Sequence, residues 1–162
     1  MPNETPELIL RPETDGDADF LVRLYRSTRD DLLQLGLPEP MLANMLDLQF
    51  RAQQSGYRMQ FPDADYEVVE RHGRPVGRLI CHRGKSAIRL VFIALLPQER
   101  GLGHGRRLIE TLQAEAGAAG KALLLSVGLH NSGAWRLYDR LGFQTVRNDG
   151  ADLEMIWRAA PA

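Results

Sequence analysis

Three glycines on alternate positions, Gly101, Gly103 and Gly105, stand in the segment Pro97-Gln98-Glu99-Arg100-Gly101-Leu102-Gly103-His104-Gly105-Arg106-Arg107. The segment joins an apolar run to a helical pattern. Glycines there remove side chains where a helix starts, so a ligand can reach backbone N–H groups that have no intrahelical acceptor. Those donors and the helix dipole favour an anion, most naturally a phosphate or pyrophosphate. The plainer reading of the same residues is a helix start with flexible glycines. Spacing separates the phosphate binders. A dinucleotide fingerprint needs glycine at the sixth position counted from Gly101, where Arg106 stands. A Walker A loop needs Lys and then Ser or Thr after its last glycine, where Arg106-Arg107 stand.

Other reactive side chains are sparser. Ser126 lies in Leu124-Leu125-Ser126-Val127-Gly128, which lacks the glycine two places earlier that a nucleophile elbow requires. His72, Cys81, His82, His104 and His130 have no zinc-site spacing. Adjacent Cys81 and His82 would point to opposite faces of a strand. No metal is expected.

Arg100-x-x-Gly103-x-Gly105 after a strand resembles the pyrophosphate-binding motif of the GNAT superfamily of N-acetyltransferases. A second block, Asn131-Ser132-Gly133-Ala134-Trp135-Arg136-Leu137-Tyr138-Asp139-Arg140-Leu141-Gly142-Phe143, is similar to that family's N-x-x-A-x-x-L-Y-x-x-x-G-F segment. It begins at the end of a strand about thirty residues beyond the first block, as in the family. The two motifs lie within residues 91–143, and the element order extends the resemblance over roughly residues 7–158.

The resemblance implies acetyl transfer from acetyl-CoA to a primary amine by direct attack in a ternary complex. The acceptor is a small-molecule or protein amine. The rival reading is a CoA-binding sensor or regulatory module of the same fold without turnover. By resemblance, the backbone of Arg100, Gly101, Leu102, Gly103, His104 and Gly105 holds the pyrophosphate, with Arg106 adding charge or simply solvated. Backbone groups of Ile93, Ala94 and Leu95 meet the pantetheine and the carbonyl oxygen, and Asn131 and Ala134 flank the pantetheine arm. Tyr138 is the expected acid: a phenol near pKa ~10 lies close enough to a thiol near ~8.5 to protonate a leaving thiolate. Glu67, His82 and His130 are candidate bases by type, although water serves as well.

Elements must hold these groups. Glu7 to Arg11 reads as a strand stopped by Pro12, and Thr14 or Asp15 caps a helix whose apolar positions are Phe20, Leu21, Leu24, Tyr25 and Thr28. Gly36, Pro38 and Pro40 break it. Met41, Met45, Leu48 and Ala52 mark the face of a second helix ending near Gly56. Tyr66–Arg71, Val76–His82 and Ser86–Leu96 form a meander, with His72-Gly73-Arg74-Pro75 as its first turn. The helix after the glycine turn carries Leu108, Ile109, Leu112, Ala116 and Ala119. Ala122–Val127 is an apolar strand buried on both faces, Ser132–Leu141 a short helix, and Phe143–Arg147 with Asp152–Arg158 a hairpin through Asn148-Asp149-Gly150. The order β-α-α-β-β-β-α-β-α-β-β predicts an α+β fold, a mixed and mostly antiparallel central sheet flanked by helices. Only the last crossover helix demands a parallel pair.

The whole chain agrees with one such domain over residues 7–160 after a six-residue tail expected to be disordered. Its 162 residues are 44% hydrophobic and 25% charged, as in globular domains. A net charge of −1 gives no basic footprint for nucleic acid. The apolar runs are about six residues against the twenty of a membrane helix. The N-terminus is acidic and has no apolar signal core. One cysteine, Cys81, cannot form an internal disulfide, which suits the cytoplasm. A homodimer is expected through the sheet or the C-terminal strands, where Met155, Ile156 and Trp157 are apolar.

Overall fold

Alternation in the strands and 3.6-residue periodicity in the helices build one seven-stranded sheet with helices on both faces. The computed structural model describes residues 7–161; the expected tail, residues 1–6, lies outside the described residues. The elements are β1 Leu8–Pro12, α1 Ala18–Ser27, a one-turn α2 Asp30–Leu33, α3 Glu39–Gln60, β2 Asp65–Arg71, β3 Arg74–Arg83, β4 Ala87–Leu95, α4 His104–Ala118, β5 Ala122–Gly128, α5 Ser132–Arg140, β6 Gln144–Asn148 and β7 Asp152–Trp157. Short 3-10 turns precede α1 at Asp15–Asp17 and follow β4 at Pro97–Glu99. The strand order is β1-β2-β3-β4-β5-β7-β6. Every neighbouring pair is antiparallel except β4 with β5.

The α+β architecture therefore holds, with one difference in the parallel pair. It spans α4 rather than the last crossover. β7 inserts between β5 and β6, so the crossover through α5 creates no parallel neighbours. The first meander turn is also tighter than expected. His72 and Gly73 alone connect β2 to β3, both with positive φ (54° and 73°), as a type I′ hairpin turn requires.

One face of the sheet packs on α4 and α5. Leu79, Cys81, Ile88 and Leu90 from the meander, Leu123, Leu125 and Val127 from β5, Leu108, Ile109 and Leu112 from α4, and Met155 from β7 form the main core. Burying one such side chain contributes roughly 1.5–3 kcal/mol. Met155 and Trp157 pack inward here, so the terminal strand spends much of its apolar surface within the chain. On the opposite face, α1 lays Phe20 and Leu24 on Val68, and α3 joins Leu42 and Leu46 to Tyr25 and Leu32.

Two helical expectations change. α1 ends at Ser27, well before Gly36, because the Ser27 and Thr28 hydroxyls bond back to the Leu24 and Tyr25 carbonyls and close its last turn. α3 continues through Gly56 to Gln60, and the face marked by Met41, Leu48 and Ala52 is exposed. Leu42 and Leu46, one position further on, face inward, with Met45 at the margin of their cluster.

The feature that makes a site is a divergence. β4 and β5 pair only from Ala87↔Ala122 to Leu90↔Leu125. Between Ile80↔Phe92 and Cys81↔Leu90 the β3–β4 register slips by one, so Val91 is an unpaired bulge residue in β4. Beyond it β4 continues along β3, and Ser126 to Gly128 of β5 continue along β7. The sheet opens into a V at that point. Gly77 permits the close approach of β3: a Cβ there would lie 2.5 Å from the Ala94 carbonyl oxygen.

Candidate active site

Leu96 N–H bonds the Val76 carbonyl across to β3 at 2.9 Å. Alternation along an antiparallel pair then turns the Ala94 and Phe92 N–H toward β3, and the Ile93 and Leu95 N–H toward the open side. No strand faces those two groups, because β5 has diverged. They are free donors at the rim of the V.

A cavity of about 390 Å³ occupies the α4–α5 side of this opening, lined by Ile93, Ala94, Leu95, Arg100, Gly105, Asn131, Ala134 and Tyr138 among others. Eight expected site residues thus line one cavity. On the other side a second cavity of about 310 Å³ is lined by Tyr57, Phe92, Ser126 and Gly128 with further β4 and β5 residues. Thr28, Ile93, Ala94, Asn131 and Tyr138 line both, so the two cavities meet across the divergence.

The glycine turn forms the mouth of the first cavity. Gly101 and Gly103 have φ of 74° and 83°, left-handed backbone that side chains with a Cβ resist. Arg100 N–H bonds Pro97, and Arg107 N–H bonds Gly103. The six amides between, from Gly101 to Arg106, have no backbone acceptor among the described residues. They open at the positive end of the fifteen-residue α4. That is the arrangement a pyrophosphate fits.

The side chains of this turn do other work. Arg100 donates through Nε to the Leu95 carbonyl at 3.0 Å and through a terminal nitrogen to the Ser27 carbonyl at 3.3 Å, which ties the end of α1 to the rim. His104 turns inward and is buried, with Nε2 3.4 Å from the Glu99 carboxylate. Arg71 holds Glu99 with two bonds of 3.0 Å. Arg106 is exposed and paired with Glu110 at 2.7 Å, one helical turn on. Leu102 is exposed. For Leu102 and His104 the parts that face the mouth are therefore backbone.

α5 supplies the opposite wall. Asn131 caps it, its Oδ1 accepting from the Ala134 N–H at 3.2 Å, which leaves the side-chain NH2 available. About two turns later Tyr138 points back into the V. Its ring packs 5.7 Å from Phe143. No hydrogen bond ties its hydroxyl to another described residue, and burial raises its pKa. The phenol is held protonated at the junction of both cavities.

The candidate bases do not meet there. Glu67 lines a separate depression with Glu13, Arg58 and Tyr66. His82 packs against Phe61, with ring centroids 5.6 Å apart. His130 is exposed and lines neither cavity. Cys81 lies in the core, and burial pushes its thiol up to about 11. Among the described residues no three His, Cys, Asp or Glu side chains cluster as a metal would need, and no helix is long and apolar enough to cross a membrane.

Sequence reading missed Thr28 and Phe92 as lining residues, and for Tyr57, as for Arg29, Asp30 and Asp31, it favoured a solvated helix end over an acceptor contact. Thr28, Tyr57 and Phe92 come from three separate elements and have no motif spacing. Ser126 had a visible signal: it is the one polar residue in the apolar run of β5. Its hydroxyl donates to Glu154 Oε2 on β7 at 2.5 Å, and Arg89 of β4 pairs with the same carboxylate.

Comparison with known proteins agrees with this geometry. The model of the acetyltransferase (GNAT) family matches residues 23–143. An "IAA acetyltransferase" of Azospirillum brasilense is 34% identical over 105 residues, a stretch that spans 62% of this chain and 62% of that relative. Two solved structures share the fold. The PaiA N-acetyltransferase of Thermoplasma acidophilum, solved in complex with coenzyme A, gives a TM-score of 0.69 at 15% identity over 93% of this chain and 98% of that one. An acetyltransferase from Thermus thermophilus gives 0.67 at 21% identity over 93% and 96%.

Proposed function

Because the chain belongs to the GNAT acetyltransferase family, we propose that it moves an acetyl group from acetyl-CoA to a primary amine by direct attack in a ternary complex. The observation that carries this reading is the pairing of six free amides at the α4 start with the V between β4 and β5. The amides of Gly101 to Arg106 hold the pyrophosphate. The pantetheine runs between β4 and α5, meeting the Ile93 and Leu95 backbone and the Asn131 side-chain amide. The thioester then lies at the junction where the two cavities meet, and the amine approaches from the Tyr57 and Phe92 side.

The residues of the chain have separable tasks. A backbone N–H of Ile93 or Leu95 stabilises the developing oxyanion; one such donor is typically worth ~2.7–4 kcal/mol. Tyr138 gives its proton to the departing thiolate. The burial that raises its pKa keeps that proton in place at neutral pH. The acceptor must arrive neutral or lose a proton at the site, since an amine of pKa ~10.4 is neutral in only about one molecule in 2,500 at pH 7. In this reading the protein works in the cytoplasm, as a dimer of like chains.

Calorimetry with acetyl-CoA, followed by an assay for CoA release with a panel of primary amines, tests the proposal. Saturable binding and amine-dependent release are expected. Binding without release for any amine would leave a CoA-binding module in place of an enzyme. No binding at millimolar acetyl-CoA would overturn the reading.

A further inference from the structure

Of the six residues whose amides open at the mouth of the first cavity, His104 alone is buried. Gly101, Leu102, Gly103 and Arg106 are exposed, and Gly105 is half-buried. The front of the turn is fastened by Arg100, through the carbonyls of Leu95 and Ser27. Behind it the chain passes through Gly101 and Gly103 in left-handed backbone, where a Cβ at either position would meet nothing within 4 Å. Such a run has no packing of its own, and glycine backbone is the freest to wander. His104 is the first residue of α4 and the one side chain able to fix the line of amides there.

An imidazole is unusual in that place. The buried face of α4 is otherwise made by Leu108, Ile109, Leu112 and Ala116, and its other polar member, Gln113, donates to the Leu141 carbonyl at 2.8 Å. Neither ring nitrogen of His104 completes a hydrogen bond to a described residue, a condition that few buried polar atoms keep. The facing acceptor is Glu99 Oε2, 3.4 Å from Nε2. Glu99 is buried as well, and the Arg71 guanidinium holds its carboxyl below the usual range, so it is ionised at neutral pH. Each carboxylate oxygen takes one bond of 3.0 Å from Arg71 and has a lone pair to spare. Facing a carboxylate, Nε2 carries the imidazole proton. The contact is a few tenths of an ångström longer than an N–H···O bond of ~2.7–3.2 Å.

We propose that His104 is the positioning residue of the pyrophosphate site: its imidazole draws the start of α4 against the Glu99–Arg71 pair, and the contact closes to a full hydrogen bond as the pyrophosphate pulls the amides of the turn into line. The proposal rests on the acetyl-CoA reading above and adds to it a side chain that never touches the ligand. Contacts run from β2 through the 3-10 turn to the helix start. Arg71 sets Glu99, Glu99 sets His104, and His104 sets the amides. The effect is confined to the pyrophosphate end, because Ile93, Leu95 and Asn131, which meet the pantetheine, lie on other elements.

The test measures the dissociation constants of two ligands at neutral pH: acetyl-CoA by calorimetry, and S-acetylpantetheine, which has no pyrophosphate, by NMR titration at millimolar concentration. His104→Leu fills the space of the ring and removes the donor. It should weaken acetyl-CoA binding on the order of tenfold, the scale of a hydrogen bond to a charged group, and leave S-acetylpantetheine unchanged. Its melting temperature should hold or rise, since two unpaired buried nitrogens give way to carbon. His104→Gln, whose amide nitrogen can reach Glu99, should restore acetyl-CoA binding. Glu99→Gln removes the charge that draws the imidazole and should show the same selective loss, which keeps the test open if His104→Leu does not fold. Wild-type affinity in His104→Leu would make the imidazole a space filler, and equal weakening of both ligands would make it general scaffold. Either result overturns the proposal, as would a His104→Gln variant that binds acetyl-CoA no better than His104→Leu. A wild type that ignores millimolar acetyl-CoA is a separate failure: it removes the acetyl-transfer reading, and this proposal with it.

Discussion

Tyr138 shows how much one side chain can be asked to do. In sequence it is a tyrosine between Leu137 and Asp139, and packing alone would explain it. In the structure its ring packs on Phe143, as packing requires, yet the residue lines both cavities and its hydroxyl has no hydrogen-bond partner among the described residues. Tyr138→Phe should therefore keep the fold and the CoA affinity while lowering acetyl transfer by ~10²–10⁴-fold, or about 2.7–5.4 kcal/mol of transition-state stabilisation. The pH profile gives an independent check. Burial raises the phenol pKa above its ordinary value near ~10. The wild-type rate should rise as the amine loses its proton and turn down only at still higher pH, where the phenol ionises. Tyr138→Phe should lack that downturn. Unchanged turnover per folded molecule would assign the proton to water. At this scale the sequence is only partly legible. Motif position points to Tyr138 and Asn131, but nothing in it tells that Arg100 spends its guanidinium on Leu95 and Ser27, or that His104 turns to Glu99. Those directions are set by neighbours distant in sequence.

Elements explain why the glycine turn was readable and α3 was not. The turn works through its backbone, so the requirement falls on residue type itself: only glycine tolerates left-handed φ at Gly101 and Gly103 without strain. Gly103→Val should cost about 1–2 kcal/mol of backbone strain, which the turn relieves by swinging its amides out of line. Acetyl-CoA affinity should drop on the order of tenfold or more by calorimetry. Thermal stability should change little, because a Cβ at this position meets nothing within 4 Å. A large fall in melting temperature with normal affinity would contradict this account. On α3, by contrast, two stripes have equally good helical spacing. Met41, Met45, Leu48 and Ala52 form one, and Leu42 and Leu46 lie one position over. Periodicity proves a helix but does not choose which stripe meets Tyr25 and Leu32; packing of α1 and α2 makes that choice. The bulge at Val91 is equally silent, since an extra residue in a strand leaves alternation intact on either side. The sequence therefore revealed the strands and the turn, whereas the V between β4 and β5 needed coordinates.

Across the whole molecule, buried ion pairs fasten the N-terminal half to the frame of the site. Asp17, at the start of α1, accepts two bonds from Arg11 of β1, at 2.7 and 2.8 Å, and one from the Thr14 N–H at 2.8 Å. Glu99, beside the glycine turn, is clasped by Arg71 of β2. Both carboxyls are buried. The Arg11 guanidinium holds Asp17 well below the usual carboxylate range, and Arg71 lowers Glu99 in the same direction. A carboxyl with a depressed pKa in the folded state stabilises that state at every pH above its unfolded value, ~3.9 for Asp and ~4.3 for Glu. As pH falls through those values, the unfolded chain takes up protons that the folded chain refuses, and the contribution is lost. The urea midpoint should be nearly flat from neutral pH to about 5 and then fall steeply. Asp17→Asn should lower it at neutral pH, because a neutral amide cannot replace a bidentate carboxylate facing Arg11. The same variant should lose less on acidification, so its curve converges on wild type near pH 3. Parallel curves over the whole range would mean that the pair contributes shape and no charge. α1 also carries Thr28 to the lip of both cavities and Ser27 to Arg100. Asp17→Asn should for that reason weaken acetyl-CoA binding at a pH where the chain is still fully folded, while Glu154→Gln, at the far side of the V, should not.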